Sequence, residues 1–343
     1  MDTKLTIGDI QRITGFSRAT IDRVVNNRGK VKAETRSAIL SAIAMTGYRS
    51  RKTGGTYLAE QAEIDILVAY GVNPIFQQVA AAFEGVVSDA MYLLPKCNLY
   101  GFNPHDPDHL LEALNQAKAR KTRCIVMIGV DTLRIRRKIS ELSAAGCRVV
   151  TVISDVPNSG RHCFIGQSSF DAGRTAAAQM YNMIDERSGK IMAVVGDLRR
   201  RHFMDRISGF QQTTGLRAKA LECVLTEPYL ERGEVSLRDI RRKTEAMPDL
   251  RGVYISGGAT PSLYDFLRSL KETHPKMISV VHECHPLSIR ALEDGAVSAI
   301  ISHDLEEVAR QAMRAAVSDE NYEDLSGAIR IHTPENITGA ELL

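Results

Sequence analysis

The sequence predicts an α/β protein: a small three-helix unit at the N-terminus, then two doubly wound parallel-sheet halves. Residues 6–48 show helical periodicity broken by glycine turns. From residue 63 onward, short apolar runs alternate with amphipathic stretches, the pattern of strands joined by crossover helices. The 343 residues exceed one small core and suit two or three structural units.

The first unit can be read residue by residue. Thr6 is placed to cap a helix, with Asp9 in its first turn, where a carboxylate suits the helix dipole. Ile7, Ile10 and Ile13 fall on one face. Gly15 breaks the helix and Phe16 plugs the corner. Ser17 then caps a second helix running to about Asn26. Ile21, Val24 and Val25 form its inner side; Ala19, Arg23 and Asn26 form the opposite side, and Arg18 stands at its start. A third helix is expected from about Ala33 to Met45, with Ile39 and Ile43 inward and Gly47 as the stop. Two helices joined by a glycine turn, the second with its start free, can lay that start in a DNA major groove.

Charge supports this. The net +3 of the chain hides an asymmetry: residues 1–58 carry eleven Lys or Arg against four Asp or Glu, a local +7, which leaves −4 for the rest. A basic head on a mildly acidic body is the footprint of a module that meets a polyanion. No apolar run is long enough to span a bilayer, so no membrane partner is expected. The N-terminus lacks a secretory pattern. Six cysteines, Cys97, Cys124, Cys147, Cys163, Cys223 and Cys284, are scattered without paired spacing and read as free thiols of a reducing cytoplasm.

A basic connector, residues 49–62, follows the head and contains Gly54 and Gly55, each weakening a helix by about 1 kcal/mol relative to alanine. Strands are then expected at Ile64–Tyr70, Asn98–Phe102, Cys124–Gly129 and Arg148–Ser154 for a first half. The second half takes Ile191–Gly196, Ala220–Leu225, Gly252–Ser256, Ile278–His282 and Val297–Ser302. Helical stretches such as Phe76–Leu94, Leu133–Ala145, Phe170–Ile184 and Pro261–Thr273 lie between them. Ligands of such sheets bind beyond the carboxyl ends of the strands. Enzyme signatures are missing: no GxGxxG, Walker-A loop or GxSxG elbow occurs. His282-Glu283-Cys284-His285 offers metal-ligand residue types, but strand alternation points neighbours to opposite sides. No metal, cofactor or catalytic residue is therefore expected.

In the head, Thr6, Asp9, Ile10, Gly15, Ser17, Thr20, Arg23, Val24, Asn26, Val31, Thr35, Arg36, Ile39, Gly47 and Tyr48 follow one another as in a known pattern. The segment resembles the DNA-binding headpiece of the LacI-type bacterial transcription regulators. The resemblance places Arg18, Ala19 and Arg23 at base edges, and Ser17, Thr20 and Asn26 at phosphates, with Thr6 also among the DNA-binding residues. A guanidinium at Arg23 suits bidentate contact with guanine; hydroxyls and amides suit phosphates. Asp22 stands where the family usually has serine, and Gln11 and Thr14 where it has small alanines. In the connector the resemblance implies a hinge helix entering the minor groove, with Tyr57 or Leu58 as the wedge; a flexible basic tether is the other reading.

The body resembles the effector domain of the same family, which shares its fold with periplasmic sugar-binding proteins. The anchors are Asn73-Pro74-Ile75-Phe76, Ser169 to Gly173, Arg206, Glu283 and His303-Asp304. The implied organisation is a head at 1–48, a hinge at 49–62 and a body at 63–343. The body's two halves are 63–161 with 303–324, and 162–302 with 325–343. The implied ligand residues are Asn73, Phe76, Asp155, Arg206, Glu283 and His303, around a sugar, polyol or sugar acid. Each of these strand-end groups can instead cap a helix or join a salt bridge. The run Arg199 to His202 can be a solvated loop or can accept a phosphate or carboxylate of the effector. The functional expectation is a cytoplasmic homodimeric repressor of carbohydrate or related catabolic genes, bound to a near-palindromic operator. A ligand-blind DNA-binding regulator and a sugar-processing enzyme are the alternatives. The chain's end shows no leucine heptad tail, so no tetramer of that kind is expected.

Overall fold

The computed structural model describes residues 7–25, 31, 32, 35, 39, 63–71, 73–90, 96–185, 188–217, 220–229, 234–258, 260–318 and 322–337. Thr6, Asn26, the connector with Tyr57 and Leu58, and most of the third helix of the head lie outside them. The chain divides into two compact units: Met1–Glu63 with Val87–Cys97, and Ile64–Val86 with Asn98–Leu343.

In the first unit, α1 (Ile7–Thr14) and α2 (Arg18–Val25) are joined by a tight turn. Gly15 holds φ +72°, the left-handed conformation that glycine adopts at no steric cost. Its N–H donates to the Gln11 carbonyl at 2.9 Å. Ile10, Ile21, Val24 and Ile39 are buried together, with Phe16 and Val31 packed against them. Phe16 thus plugs the corner as its position predicts. The two unusual residues of α1 fit without a core penalty: Gln11 is exposed, and the Thr14 hydroxyl donates to the Ile10 carbonyl at 2.7 Å.

The second unit is built on two six-stranded sheets. The strands are β1 (Ile64–Ala69), β2 (Cys97–Phe102), β3 (Cys124–Ile128), β4 (Arg148–Val152), β5 (Cys163–Gln167), β6 (Gly189–Val194), β7 (Leu221–Leu225), β8 (Leu250–Ile255), β9 (Ile278–His282), β10 (Ala299–Ser302), β11 (Leu325–Gly327) and β12 (Arg330–His332). The first sheet runs β11-β5-β4-β3-β1-β2 and the second β12-β10-β9-β8-β6-β7. The pairings β1–β3, β3–β4, β4–β5 and β5–β11 are parallel, as are those among β6 to β10; β12 pairs antiparallel with β10. Central strands such as β1 and β3 are buried along their whole length, as expected where helices cover both faces. The buried carboxylate Asp65 in β1 survives because Arg120, Thr122 and Asn98 all donate to it.

Two boundaries differ from the sequence reading. β5 and β11 belong to the first sheet, so that half extends past residue 161 and takes back 325–327. β5 reads CFIGQ, too short and too interrupted by glycine to signal a strand, yet its backbone completes the ladder beside β4. The helices after β5 and β6 are α6 (Ser169–Met183) and α7 (Arg201–Arg217); the second was not anticipated, because polar residues interrupt its apolar stripe. Before them, in chain order, come α3 (Ile75–Ala90), α4 (Pro107–Arg120) and α5 (Leu133–Ala144). After them come α8 (Glu234–Glu245), α9 (Pro261–Thr273), α10 (Pro286–Glu293) and α11 (Leu305–Val317). Helices α6 and α7 cross at two glycines. A Cβ on Gly173 would lie 1.9 Å from the Arg206 carbonyl oxygen, and one on Gly209 2.0 Å from that of Phe170. This close approach fixes where Arg206 projects. The six cysteines are free thiols. No helix among the described residues is long and apolar enough to cross a membrane.

Candidate functional site

Strand order locates the cleft. The chain reverses its direction of winding between β1 and β3 in the first sheet and between β6 and β8 in the second. The loops leaving adjacent strands diverge there and open a crevice. Asn73 and Phe76 follow β1, the Asp131 loop follows β3, residues 196–203 follow β6 and Ser256 follows β8.

In the second half, Arg206, Glu283 and His303 converge. Arg206 is fully buried. Its Nη1 donates to the Ser256 carbonyl at 2.8 Å, and its Nη2 lies 2.7 Å from Glu283 Oε1 and 3.0 Å from His303 Nε2. Arg206 can only donate, so His303 Nε2 accepts and the ring proton sits on Nδ1. His303 Nε2 is 3.6 Å from Glu283 Oε1, beyond hydrogen-bond reach. Burial works against the Glu283 carboxylate, but the Arg206 guanidinium bonded to it holds the carboxyl well below its usual range. Glu283 also has φ +75°, a left-handed backbone uncommon outside glycine. Its backbone is held there by the Glu283 N–H donating to Ile301 O at 2.8 Å and by Ser288 Oγ donating to Glu283 O at 2.9 Å.

The first-half candidates have different occupations. Asp155 accepts from Arg161 through both carboxylate oxygens and from the Thr151 hydroxyl and the Val156 N–H. Asp324 grips the same guanidinium. Asp155 thus ties β4 to Arg161, which Asp324 of the return segment also holds. Asn73 accepts from the Ile75 N–H at 3.2 Å and starts α3. Phe76 is buried, and the Arg200 guanidinium lies 5.2 Å from its ring centroid and 5.7 Å from that of Phe203.

The segment 197–200 ties the halves together. The Asp131 N–H donates to the Arg199 carbonyl at 2.7 Å, and Arg199 Nη1 donates to the His105 carbonyl at 3.1 Å. Arg199 also forks onto Asp197, whose carboxyl it holds down against the opposing effect of burial. Within the run Arg199 to His202, Arg200 and His202 are buried, Arg199 is half-buried and Arg201 is exposed. Burial, then the guanidiniums of Arg206 and Arg200, keep His202 well below the ordinary histidine value. Sequence reasoning missed Gln167, 3.5 Å from His303, because β5 went unrecognised. It also missed Phe203 and Ser256, which carry no chemical signature. The metal-like run is spoken for separately: His282 meets the Tyr254 hydroxyl at 2.9 Å, Glu283 pairs with Arg206, and His285 caps α10.

The head presents its candidates outward. Ser17 caps α2 through a bond from the Thr20 N–H at 3.2 Å, and its hydroxyl meets that of Thr20 at 2.8 Å. Ser17, Arg18, Ala19 and Arg23 are exposed and Thr20 is half-buried, while Ile21 and Val24 face inward.

Comparison with known proteins matches both parts. Residues 64–319 match the family described as "Periplasmic binding protein domain", and residues 6–50 match "Bacterial regulatory proteins, lacI family". The chain belongs to the periplasmic binding protein domain family and carries a lacI-family head. Among curated relatives, it is 27% identical over 192 residues to the HTH-type transcriptional regulator GalS of Salmonella typhimurium, covering 54% of this chain and 53% of GalS. It is 34% identical over 94 residues to the ribose operon repressor of Halalkalibacterium halodurans, covering 27% of this chain and 28% of that one. The matches thus span about half, or less, of those relatives' length. Among solved structures, a solute-binding protein of an ABC transporter from Burkholderia graminis, in complex with D-arabinose, superposes with TM-score 0.74 at 17% identity. That match covers 81% of this chain and 97% of that one. GanP, a glucose-galactose binding protein from Geobacillus stearothermophilus, gives TM-score 0.72 at 18% identity over 81% of this chain and 99% of its own. At such identities the likeness is one of fold. The lacI-family head and the periplasmic binding protein body therefore sit in one chain.

Proposed function

We propose that this protein is an effector-responsive transcription regulator, a cytoplasmic homodimeric repressor of carbohydrate or related catabolic genes. The observation that carries the reading is the lacI-family head, whose α2 is capped by Ser17 and offers Arg18, Ala19 and Arg23 to solvent. Exposed donors at the start of a second helix are what major-groove reading requires. The named relatives, GalS and a ribose operon repressor, support a sugar-linked role. A small polyhydroxylated molecule is the proposed ligand of the cleft, with Arg206, Glu283 and His303 as its partners. The D-arabinose complex of a fold relative agrees with that class. Two heads on a two-fold dimer match a near-palindromic site. Tyr57 and Leu58 are the proposed minor-groove wedge, and Thr6 and Asn26 join the phosphate contacts. No catalytic step is assigned to the cleft.

The ligand-blind reading has its own observation. Phe76 faces Arg200, Arg206 is held by Glu283 and Ser256, and Asp155 is held by Arg161. The effect of an effector can be no larger than its differential affinity for the two states.

The test is fluorescence anisotropy with fragments upstream of the protein's own gene and its neighbours, titrated with salt and then with sugars, polyols and sugar acids. Arg23→Ala is expected to lose about 1–3 kcal/mol of discrimination at one base position. Specific binding shifted by one compound class supports the regulator. Specific binding that no compound moves supports the ligand-blind alternative, and no specific binding by folded protein at low salt removes the reading.

A further inference from the structure

The chain passes between the two halves from β5 to α6, from β10 to α11 and from β11 to β12. At these crossings Gln167 lies 3.5 Å from His303, and the Ser168 N–H donates to Ser326 Oγ at 3.1 Å. β11 and β5 stand at one edge of the first sheet, and β12 and β10 at one edge of the second. The crossings therefore form a hinge along that side of the body.

Toward the other edge of each sheet, one loop of the second half meets loops of the first. Residues 197–200 leave β6; the loops they touch leave β1, β2 and β3, at the end of the first sheet away from β11 and β5. After β3, the Asp131 N–H donates to the Arg199 carbonyl at 2.7 Å. After β2, the His105 carbonyl accepts from Arg199 Nη1 at 3.1 Å, and His105 Nδ1 lies 4.0 Å from Asp197 Oδ2. After β1, the Phe76 ring lies under the Arg200 guanidinium. The loop is held firmly on its own side. The Gly196 N–H donates to Ser256 Oγ at 3.1 Å, the Arg199 N–H to Asp197 Oδ1 at 3.1 Å, and the Arg200 N–H to the Asp197 carbonyl at 2.9 Å. The buried Asp197 carboxylate also grips Arg199 through Nε and Nη2. That charge-assisted fork aims the remaining nitrogen at His105.

We infer that residues 197–200 are a latch, a strap built into the second half that holds the two halves together on the side away from the hinge. Its position gives it leverage: contacts beside a hinge yield little when the halves part, whereas contacts on the far side must break first. Opening breaks the Asp131–Arg199 and Arg199–His105 bonds and lifts Arg200 off Phe76 together, so the body has two discrete arrangements. A molecule entering the cleft waits for that release, and the released fraction scales its apparent affinity. The inference concerns the body and goes beyond the regulator reading; it stands or falls whatever the head binds.

Hydrogen–deuterium exchange of the full chain, read at single amides by mass spectrometry, tests it without a ligand. The Asp131 N–H is the reporter, because its acceptor lies in the other half. In the native chain it is expected to exchange far more slowly than an unbonded amide, and an unprotected Asp131 overturns the inference outright. Asp197→Asn combined with Arg199→Met removes the fork and its counter-charge together and strands no buried carboxylate. Arg200→Met removes the guanidinium from the two phenylalanine rings and keeps an apolar stem. The paired variant is expected to speed Asp131 exchange about 10-fold or more, and Arg200→Met to speed it less, with the core amides of β3 and β6 unchanged. Asp131 exchange at the native rate in both folded variants overturns the latch. A rise shared by the β3 and β6 amides is general loosening and overturns it as well. Should the paired variant not fold, Arg200→Met decides, and native exchange at Asp131 in that variant counts against the inference.

Discussion

The two halves of the body treat their strand-end polar residues in opposite ways. In the first half, Asp155 and Asn73 are satisfied locally: one anchors Arg161, the other starts α3. In the second half, Arg206, Glu283 and His303 come from three separate elements and satisfy one another across them, at 2.7 Å and 3.0 Å from the same guanidinium nitrogen. Asn73, Asp155, Glu283 and His303 all follow the carboxyl ends of strands, whereas Arg206 reaches its partners from within α7. What separates them is the sequence distance of their partners. Asp155 meets Arg161 six residues away, so its geometry follows from a local turn. Arg206 meets Glu283 77 residues away, and nothing but the assembled fold brings them together. A costly long-range charge network is the stronger pointer to function.

The largest effect expected from that contrast is on stability. Arg206→Met removes one partner of a buried pair and leaves the Glu283 carboxylate uncompensated, at a cost of about 3–5 kcal/mol. Urea unfolding followed by circular dichroism measures it, and a change under about 1 kcal/mol would show that the network is not the anchor described. Acid should act on the same half. Burial holds His202 and His282 well below the ordinary value and lowers His285 to about 4. A histidine depressed in the folded state is bound by protons first in the unfolded chain, so stability falls as pH drops below about 6.5. At pH about 5.5 each such histidine costs about 1.4 kcal/mol relative to neutral pH. Glu283 adds a further loss only below the ordinary carboxylate range, as pH falls toward its depressed value. Melting temperature against pH checks this. A flat profile between pH about 7 and about 5 contradicts the buried neutral histidines.

Legibility followed the same divide between local and long-range. The head was readable because its signals are adjacent: Ser17 caps, Gly15 turns, Phe16 plugs, and Ile10, Ile21 and Val24 fall on one side by spacing alone. The parallel sheets were readable because fully buried strands are continuous apolar runs. β5 and α7 were not, since their stability comes from the ladder beside β4 and from the glycine crossing with α6, neither of which leaves a local periodic mark. At the cleft, the family resemblance singled out Arg206, Glu283 and His303, and the structure brings the three together. It did not reveal that Asp155 has a partner in Arg161, six residues on, because an arginine in a loop carries no sign of which carboxylate it grips.

The smallest prediction sharpens the comparison most. Asp155→Asn keeps the shape of the side chain and removes the charge that Arg161 grips. Its side chain and that of Arg161 are 17% and 14% exposed, so solvent screens the pair only in part, and Asp324 remains as a second anion for the guanidinium. The expected loss is about 1–2 kcal/mol of stability, with effector affinity and effector-dependent DNA release unchanged. Arg206→Lys should do the reverse, costing ligand response out of proportion to stability, because a single ammonium keeps the charge beside Glu283 but not the planar fork. If Asp155→Asn instead abolished effector response at full stability, the first half would be a ligand-binding wall, and the division drawn between the two halves would fail at the residue on which it rests.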